Sequence, residues 1–157
     1  MWQRDWGEAM ADLVNGAATA VRAADVLLRC AGGRSVLLRM PANASAGDTT
    51  EQLGLAVPTF QDVELAPVVF RKARQAASAL SLAVDKAARW ELMVSATAVQ
   101  ELVGSLGYSA ASVLFATAFG VLIDGVLTEV LSATESEVFG TPYVYRLVLQ
   151  APVALVV

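Results

Sequence analysis

The sequence predicts an α+β protein, a small antiparallel β-barrel or sandwich with a long N-terminal helix and a short helical insert. Three observations carry this. Tyr143, Tyr145, Leu147 and Leu149 alternate with Val144, Arg146, Val148 and Gln150, and a two-residue period places the two sets on opposite faces of a half-buried strand. Asp124-Gly125 lies between two apolar runs, and this dipeptide suits the two positive-φ positions of a type I′ hairpin turn. Residues 2 to about 29 carry Trp2, Trp6, Ala9, Met10, Leu13, Ala17, Ala20, Val21, Ala24, Leu27 and Leu28 at three- and four-residue steps, which is the spacing of one amphipathic helix.

By this reading the chain has three parts: the helix over 1–33, a β-domain over 34–150 with an insert at about 97–119, and an apolar tail over 151–157. Arg4, Glu8, Asp12, Asn15, Thr19, Arg22 and Arg29 fill the polar stripe of the helix. Gly16 weakens its middle by about 1 kcal/mol relative to alanine and marks a place for a break, and Gly32-Gly33 supplies the stop. Ser35 to Met40 reads as a strand ended by Pro41, followed by a long loop over 41–59 rich in Pro, Asn, Ser, Gly, Asp and Thr.

Phe60 to Arg74 is the next strand, with Pro67 pointing to an edge or a bulge. The Ala-rich segment Gln75 to Arg89 reads as a short helix or a hairpin arm, and Arg89 to Ala96 as a strand with Trp90, Leu92 and Val94 on one face. Thr97 and Gln100 match a reciprocal helix cap, predicting a helix over 98–106. Ser109 offers an N-cap for Ala110 to Phe119, and Gly120 a stop. The final hairpin arms are joined by a polar loop at Glu135-Ser136-Glu137, and Pro142 opens the last strand.

The composition asks for more burial than one small core supplies. At 157 residues the chain suits a single domain, yet 56% of it is hydrophobic and only 17% charged, with a mean hydropathy of +0.55. The apolar stretch from Val113 to Ile123 contains Thr117 and Gly120 and stops at Asp124, well short of the ~20 residues of a spanning helix. Arg4, Asp5, Glu8 and Asp12 do not fit the start of a secretory signal. Burial between subunits is therefore the favoured explanation.

A net charge of −4 creates no global field for nucleic acid. Arg34, Arg39, Arg71, Lys72 and Arg74 cluster along the middle of the chain, and form either a local basic strip or a solvated strand face with counter-charges. Cys30 stands alone, so no intrachain disulfide can form.

With no histidine and one cysteine, imidazole pairs and imidazole metal sites are excluded. The carboxylate pairs Asp62/Glu64 and Glu135/Glu137 have no recognisable catalytic neighbours. Gly32-Gly33-Arg34-Ser35 lacks the spacing of a phosphate loop. Tyr143 and Tyr145 share their face with leucines and belong to the core rather than to a base-stacking platform. No catalytic residue, cofactor or metal is expected. The candidate contacts are instead Trp2 and Trp6 at the helix start, where Trp either caps the core or meets a subunit, and Leu155, Val156 and Val157 in the tail, which pack on a neighbour or extend a sheet edge.

The order of Ser35-Val-Leu-Leu-Arg-Met-Pro41, a loop, Val63-Glu-Leu-Ala-Pro-Val-Val-Phe-Arg71, a helical insert, Gly120-Val-Leu-Ile-Asp-Gly-Val-Leu-Thr-Glu-Val-Leu-Ser132 and Gly140-Thr-Pro-Tyr-Val-Tyr-Arg-Leu-Val-Leu149 resembles the small head-closure, or stopper, proteins in the neck of long-tailed bacteriophages and related prophage particles. The resemblance spans about 34–150. It implies a structural virion subunit of the head–tail connector, assembled in the bacterial cytoplasm into a homo-oligomeric ring through which DNA passes without sequence-specific contact. It also implies neighbouring portal, adaptor or tail proteins and no membrane, with the loops over 41–59 and 75–88 gating the channel or meeting the next ring. The long helix and the insert exceed a minimal barrel and keep a tail terminator or tail-tube subunit in view. A small-molecule or lipid-binding barrel is the alternative from another class, using the apolar surplus to line a cavity.

Overall fold

The computed structural model describes residues 4–42, 59–72 and 89–151. Its elements are α1 (Arg4–Cys30), β1 (Arg34–Pro41), β2 (Phe60–Lys72), β3 (Arg89–Ser95), α2 (Ala96–Leu106), α3 (Ala111–Thr117), β4 (Gly120–Ile123), β5 (Val126–Val138) and β6 (Thr141–Gln150). The strands close into a barrel in the order β1-β2-β3-β6-β5-β4, and every neighbouring pair is antiparallel. The predicted α+β barrel with a long N-terminal helix and a helical insert is the observed architecture.

Period-2 alternation decides what points inward. Leu38 and Met40 of β1, Leu65 of β2, Leu92 of β3 and Leu147 and Leu149 of β6 have no exposed surface, so side chains fill the interior, as is usual in small barrels. Val99 and Val103 of α2 and Leu114 and Phe115 of α3 join the same core. The insert thus leaves the barrel where β3 stops at Ser95 and returns to it at β4, packing into one end. The Asp124-Gly125 turn lies at the other end.

That turn forms as predicted, with φ of 50° and 82° and Ile123 paired to Val126. Pro67 lies at the predicted irregularity: β1 and β2 change register between Arg34 and Val36, so that Ala66 and Pro67 face Ser35. Tyr145, Leu147 and Leu149 are buried while Tyr143 is half-buried.

Helix α1 runs unbroken through Gly16 and lies outside the barrel across β2, β3 and β6. Ala17, Ala24 and Leu28 are its buried residues. A polar pin fixes it: the Ser95 hydroxyl donates to one Asp25 oxygen at 2.9 Å, and Arg29 Nε donates to the other at 2.9 Å. These two donors, Arg29 first, hold the Asp25 carboxyl below its ordinary pKa against the opposing effect of burial. A depressed carboxylate contributes stability above its unfolded pKa and loses it as pH falls through the folded value. Unfolding midpoints should therefore be flat at neutral pH and decline below the ordinary carboxylate range. Asp25→Asn should have a lower midpoint at neutral pH and a shallower acid decline; an identical decline in that variant would remove Asp25 from the account.

Several local expectations are corrected. The Thr97/Gln100 cap does not form: α2 starts at Ala96 with Ser95 in the N-cap position and no side-chain cap bond. Tertiary partners have taken both kinds of group, since Ser95 bonds Asp25 and Gln100 bonds the Tyr145 hydroxyl. Ser109 is not an N-cap either; Ala110 holds that position, and α3 ends at Thr117 before Gly120 opens β4. Glu135-Ser136-Glu137 belongs to β5, and the turn lies at Phe139-Gly140, with φ of 51° and 74°. Pairing with β6 outweighs the loop-like composition there, because the exposed strand keeps its acids in water.

Candidate functional site

Of the predicted contact residues, Trp2, Leu155, Val156 and Val157 lie outside the described residues, as does the side chain of Trp6, which is on the first turns of α1. The segments 43–58 and 73–88 of the two predicted loops also lie outside them. The backbone flanking the first is closed, with Ala42 N–H donating to the Thr59 carbonyl at 2.8 Å.

Two members of the basic cluster, Arg39 and Arg71, lie in ion pairs across neighbouring strands. Arg39 of β1 donates Nε and Nη2 to the two oxygens of Asp62 of β2 at 2.8 and 2.9 Å. These bonds lower the Asp62 carboxyl and raise the Arg39 guanidinium from their ordinary values. Glu91 of β3 takes Arg71 of β2 at 3.2 Å and Arg146 of β6 at 2.7 Å. Of the carboxylate pairs, Asp62 is tied to Arg39, Glu64 is exposed beside it on β2, and Glu135 and Glu137 stand exposed on β5. Among the described residues no three acidic or cysteine side chains are grouped to hold a metal.

The outer surface carries a less expected feature. Leu37 of β1, Leu122 of β4 and Leu127 of β5 are direct cross-strand partners, and since Leu38, Val121 and Thr128 beside them face inward, the three leucines form one row on the outside. Leu37 and Leu127 are 42% and 38% exposed. Further along the same face Phe60 meets Phe119 edge-on, with centroids 4.6 Å apart, and the Arg39 guanidinium lies over Phe60 at 5.9 Å. Gly120 lies between these two ridges, opposite Arg39. The apolar face therefore runs over β1, β4 and the start of β5, with Phe60 of β2 at its edge, while α1 packs chiefly on β6, β2 and β3 and touches β5 as well.

Helix α1 has a second open surface. At ~1.5 Å per residue it is about 40 Å long, and it passes the Phe139-Gly140 turn at Gly16, where a Cβ would stand 3.7 Å from the Phe139 ring. Every residue from 7 to 16 is exposed. Met10, Leu13 and Val14 lie on the same stripe as buried Ala17, Ala24 and Leu28, yet Met10 and Val14 are 61% and 67% exposed.

Cavities lie at the ends and flanks of the barrel. A cleft of about 650 Å³ separates the insert from the β5–β6 hairpin and is lined by Gln100, Ser112, Thr134, Glu135 and Tyr145. In it Gln100 donates to the Tyr145 hydroxyl at 3.0 Å; burial, with a smaller push from Glu135, raises the phenol above its ordinary pKa, and the Gln100 bond opposes this. An apolar mouth of about 360 Å³, lined by Phe70, Trp90, Ile123 and Val126, opens at the end opposite the insert.

No family model, curated protein or solved structure matches this chain. The residues themselves therefore carry the functional reading.

A signal for the outer leucine row was present in the sequence. Val36-Leu37-Leu38 and Val121-Leu122-Ile123 are continuous apolar runs, the pattern of strands covered on both faces. Reading them only as strands left unasked what would cover the second face.

Proposed function

We propose that this chain is a structural subunit that assembles with copies of itself into a ring, of the head-closure kind found in the neck of long-tailed phages and related prophage particles. The observation that carries the reading is the double-sided apolarity of β1, β4 and the start of β5. Their inner residues fill the core, and the described chain leaves the outer row of Leu37, Leu122 and Leu127 partly open. A contiguous apolar face on a barrel whose interior is already packed calls for a protein partner. The open stripe of α1 adds a second such surface. As a neck subunit the ring would sit in the virion between portal or adaptor and tail proteins, with an acidic balance suited to letting DNA slide past.

Native mass spectrometry and imaging of the purified full chain test the reading together. A closed ring of many copies with a central opening is expected; a monomer at all accessible concentrations would overturn it. The apolar mouth beside Trp90 and Val126 favours the ligand-binding alternative, which would instead show a monomer or dimer with a bound apolar small molecule in the same spectrum.

A further inference from the structure

We infer that the open stripe of α1 in one copy, centred on Met10, Leu13 and Val14, lies across the outer face of β1, β4 and β5 in the next copy. The inference rests on the homo-oligomer reading and specifies its contact.

The two surfaces stand on different parts of one subunit. In the closed order β1-β2-β3-β6-β5-β4, α1 packs chiefly on β6, β2 and β3 and touches β5 as well, while among the described residues the open leucine row stands on β1, β4 and the start of β5. Within each chain the stripe of α1 already shows what it packs against, since Ala17, Ala24 and Leu28 are buried on the outside of a barrel. The N-terminal half continues the stripe beyond the chain's own barrel. A second barrel with a bare outer face is the chemically matching surface.

Pairing face with face, or stripe with stripe, would cover one surface and leave the other in water. Pairing stripe with face covers both through one kind of contact, repeated on each side of the subunit. Such a head-to-tail contact generates closed rings or open filaments rather than two-fold dimers.

Size and charge agree with this. A standard interface takes about 800 Å² from each partner, a little over half of it apolar, and Leu37, Leu127, Phe60 and Phe119, all large and each more than a third exposed, can supply the apolar centre of one. The face is rimmed by exposed Glu64 and Glu129. On α1, Glu8 and Asp12 lie on the side of the helix opposite Met10 and Val14, so helical geometry turns them to solvent and away from those acids. The stripe is flanked by Gly7, Ala9 and Ala11, small residues that let a helix approach a sheet closely.

Charge insertion on each surface tests the inference. Val14→Glu removes the stripe, and Leu127→Glu, with Leu37→Glu as its repeat on another strand, removes the face; all three sites are exposed, and circular dichroism checks that the fold is kept. Each variant alone should fall from the parent assembly to a monomer by native mass, while Val113→Glu, at an exposed position on α3, should keep the parent mass. Mixed one to one, Val14→Glu and Leu127→Glu chains retain one intact stripe and one intact face between them and should form a dimer that grows no further. If the parent assembles and a folded variant still does so alone, or if the mixture stays monomeric, the inferred contact is wrong while the ring reading stands. A parent that never assembles removes both.

Discussion

Gly120→Ala is expected to lower the unfolding free energy by about 2–4 kcal/mol, from strained backbone and overpacking together. Gly120 opens β4 at φ 151°, a conformation that side chains rarely adopt. A Cβ there would fall inside contact distance of the Thr128 carbonyl oxygen on β5 and stand 3.1 Å from Leu127 Cδ1. The Thr128 oxygen belongs to backbone held by the β4–β5 pairing, and the Thr128 hydroxyl donates to the Val121 carbonyl at 2.8 Å, so the strand cannot step aside. For a domain of this size the loss corresponds to a melting temperature about 5–15 °C lower. Gly104→Ala makes the contrast: within α2, with nothing within 4 Å of its Cβ, it should be neutral or stabilising by up to about 1 kcal/mol. Equal melting temperatures for both variants would contradict the close approach of β4 and β5.

Leu114→Ala tests whether the insert and the barrel are one cooperative unit. Leu114 has no exposed surface and shares the core with the inward residues of β1, β2, β3 and β6. Truncating such a leucine removes its transfer energy and leaves a cavity, a loss of about 2–5 kcal/mol. Its neighbour Val113 is 42% exposed, and Val113→Ala should stay within about 0.5 kcal/mol. Urea unfolding should show a single transition in both variants, moved to lower urea only for Leu114→Ala. A separate early transition, or a shift for neither variant, would mean that the insert does not share the barrel core.

The elements that could be read from the sequence share a property. The hairpin at Asp124-Gly125 depends on two adjacent residues that accept positive φ, and it formed in the expected register. The inward face of β6 depends on a two-residue period, and the docked half of α1 on steps of three and four. Each signal is contained within a few residues, so no knowledge of the rest of the chain was needed. Where a local signal had a distant competitor it failed. Ser95 and Gln100 hydrogen-bond Asp25 and Tyr145, which are 70 and 45 residues away in sequence. The turn at Phe139-Gly140 was hidden because phenylalanine rarely takes positive φ, whereas the acids before it look like a loop.

The candidate site was legible only in part. The sequence showed that the chain holds more apolar surface than a small core uses, and its continuous apolar runs already implied strands covered on both faces. It could not show which face stays open, because that depends on where α1 lies. By itself, then, the sequence determined the strands, the helix, the Asp-Gly turn and the surplus of hydrophobicity, all set by periodicity and backbone preference over short range. Only the tertiary structure decided that the sheet closes, that α1 packs chiefly on β6, β2 and β3, and that Leu37, Leu122 and Leu127 meet in one row that the described residues leave partly open. These follow chiefly from contacts between residues far apart in the sequence, such as Leu37 with Leu122 and α1 with β6, whose energy depends on what each surface is packed against.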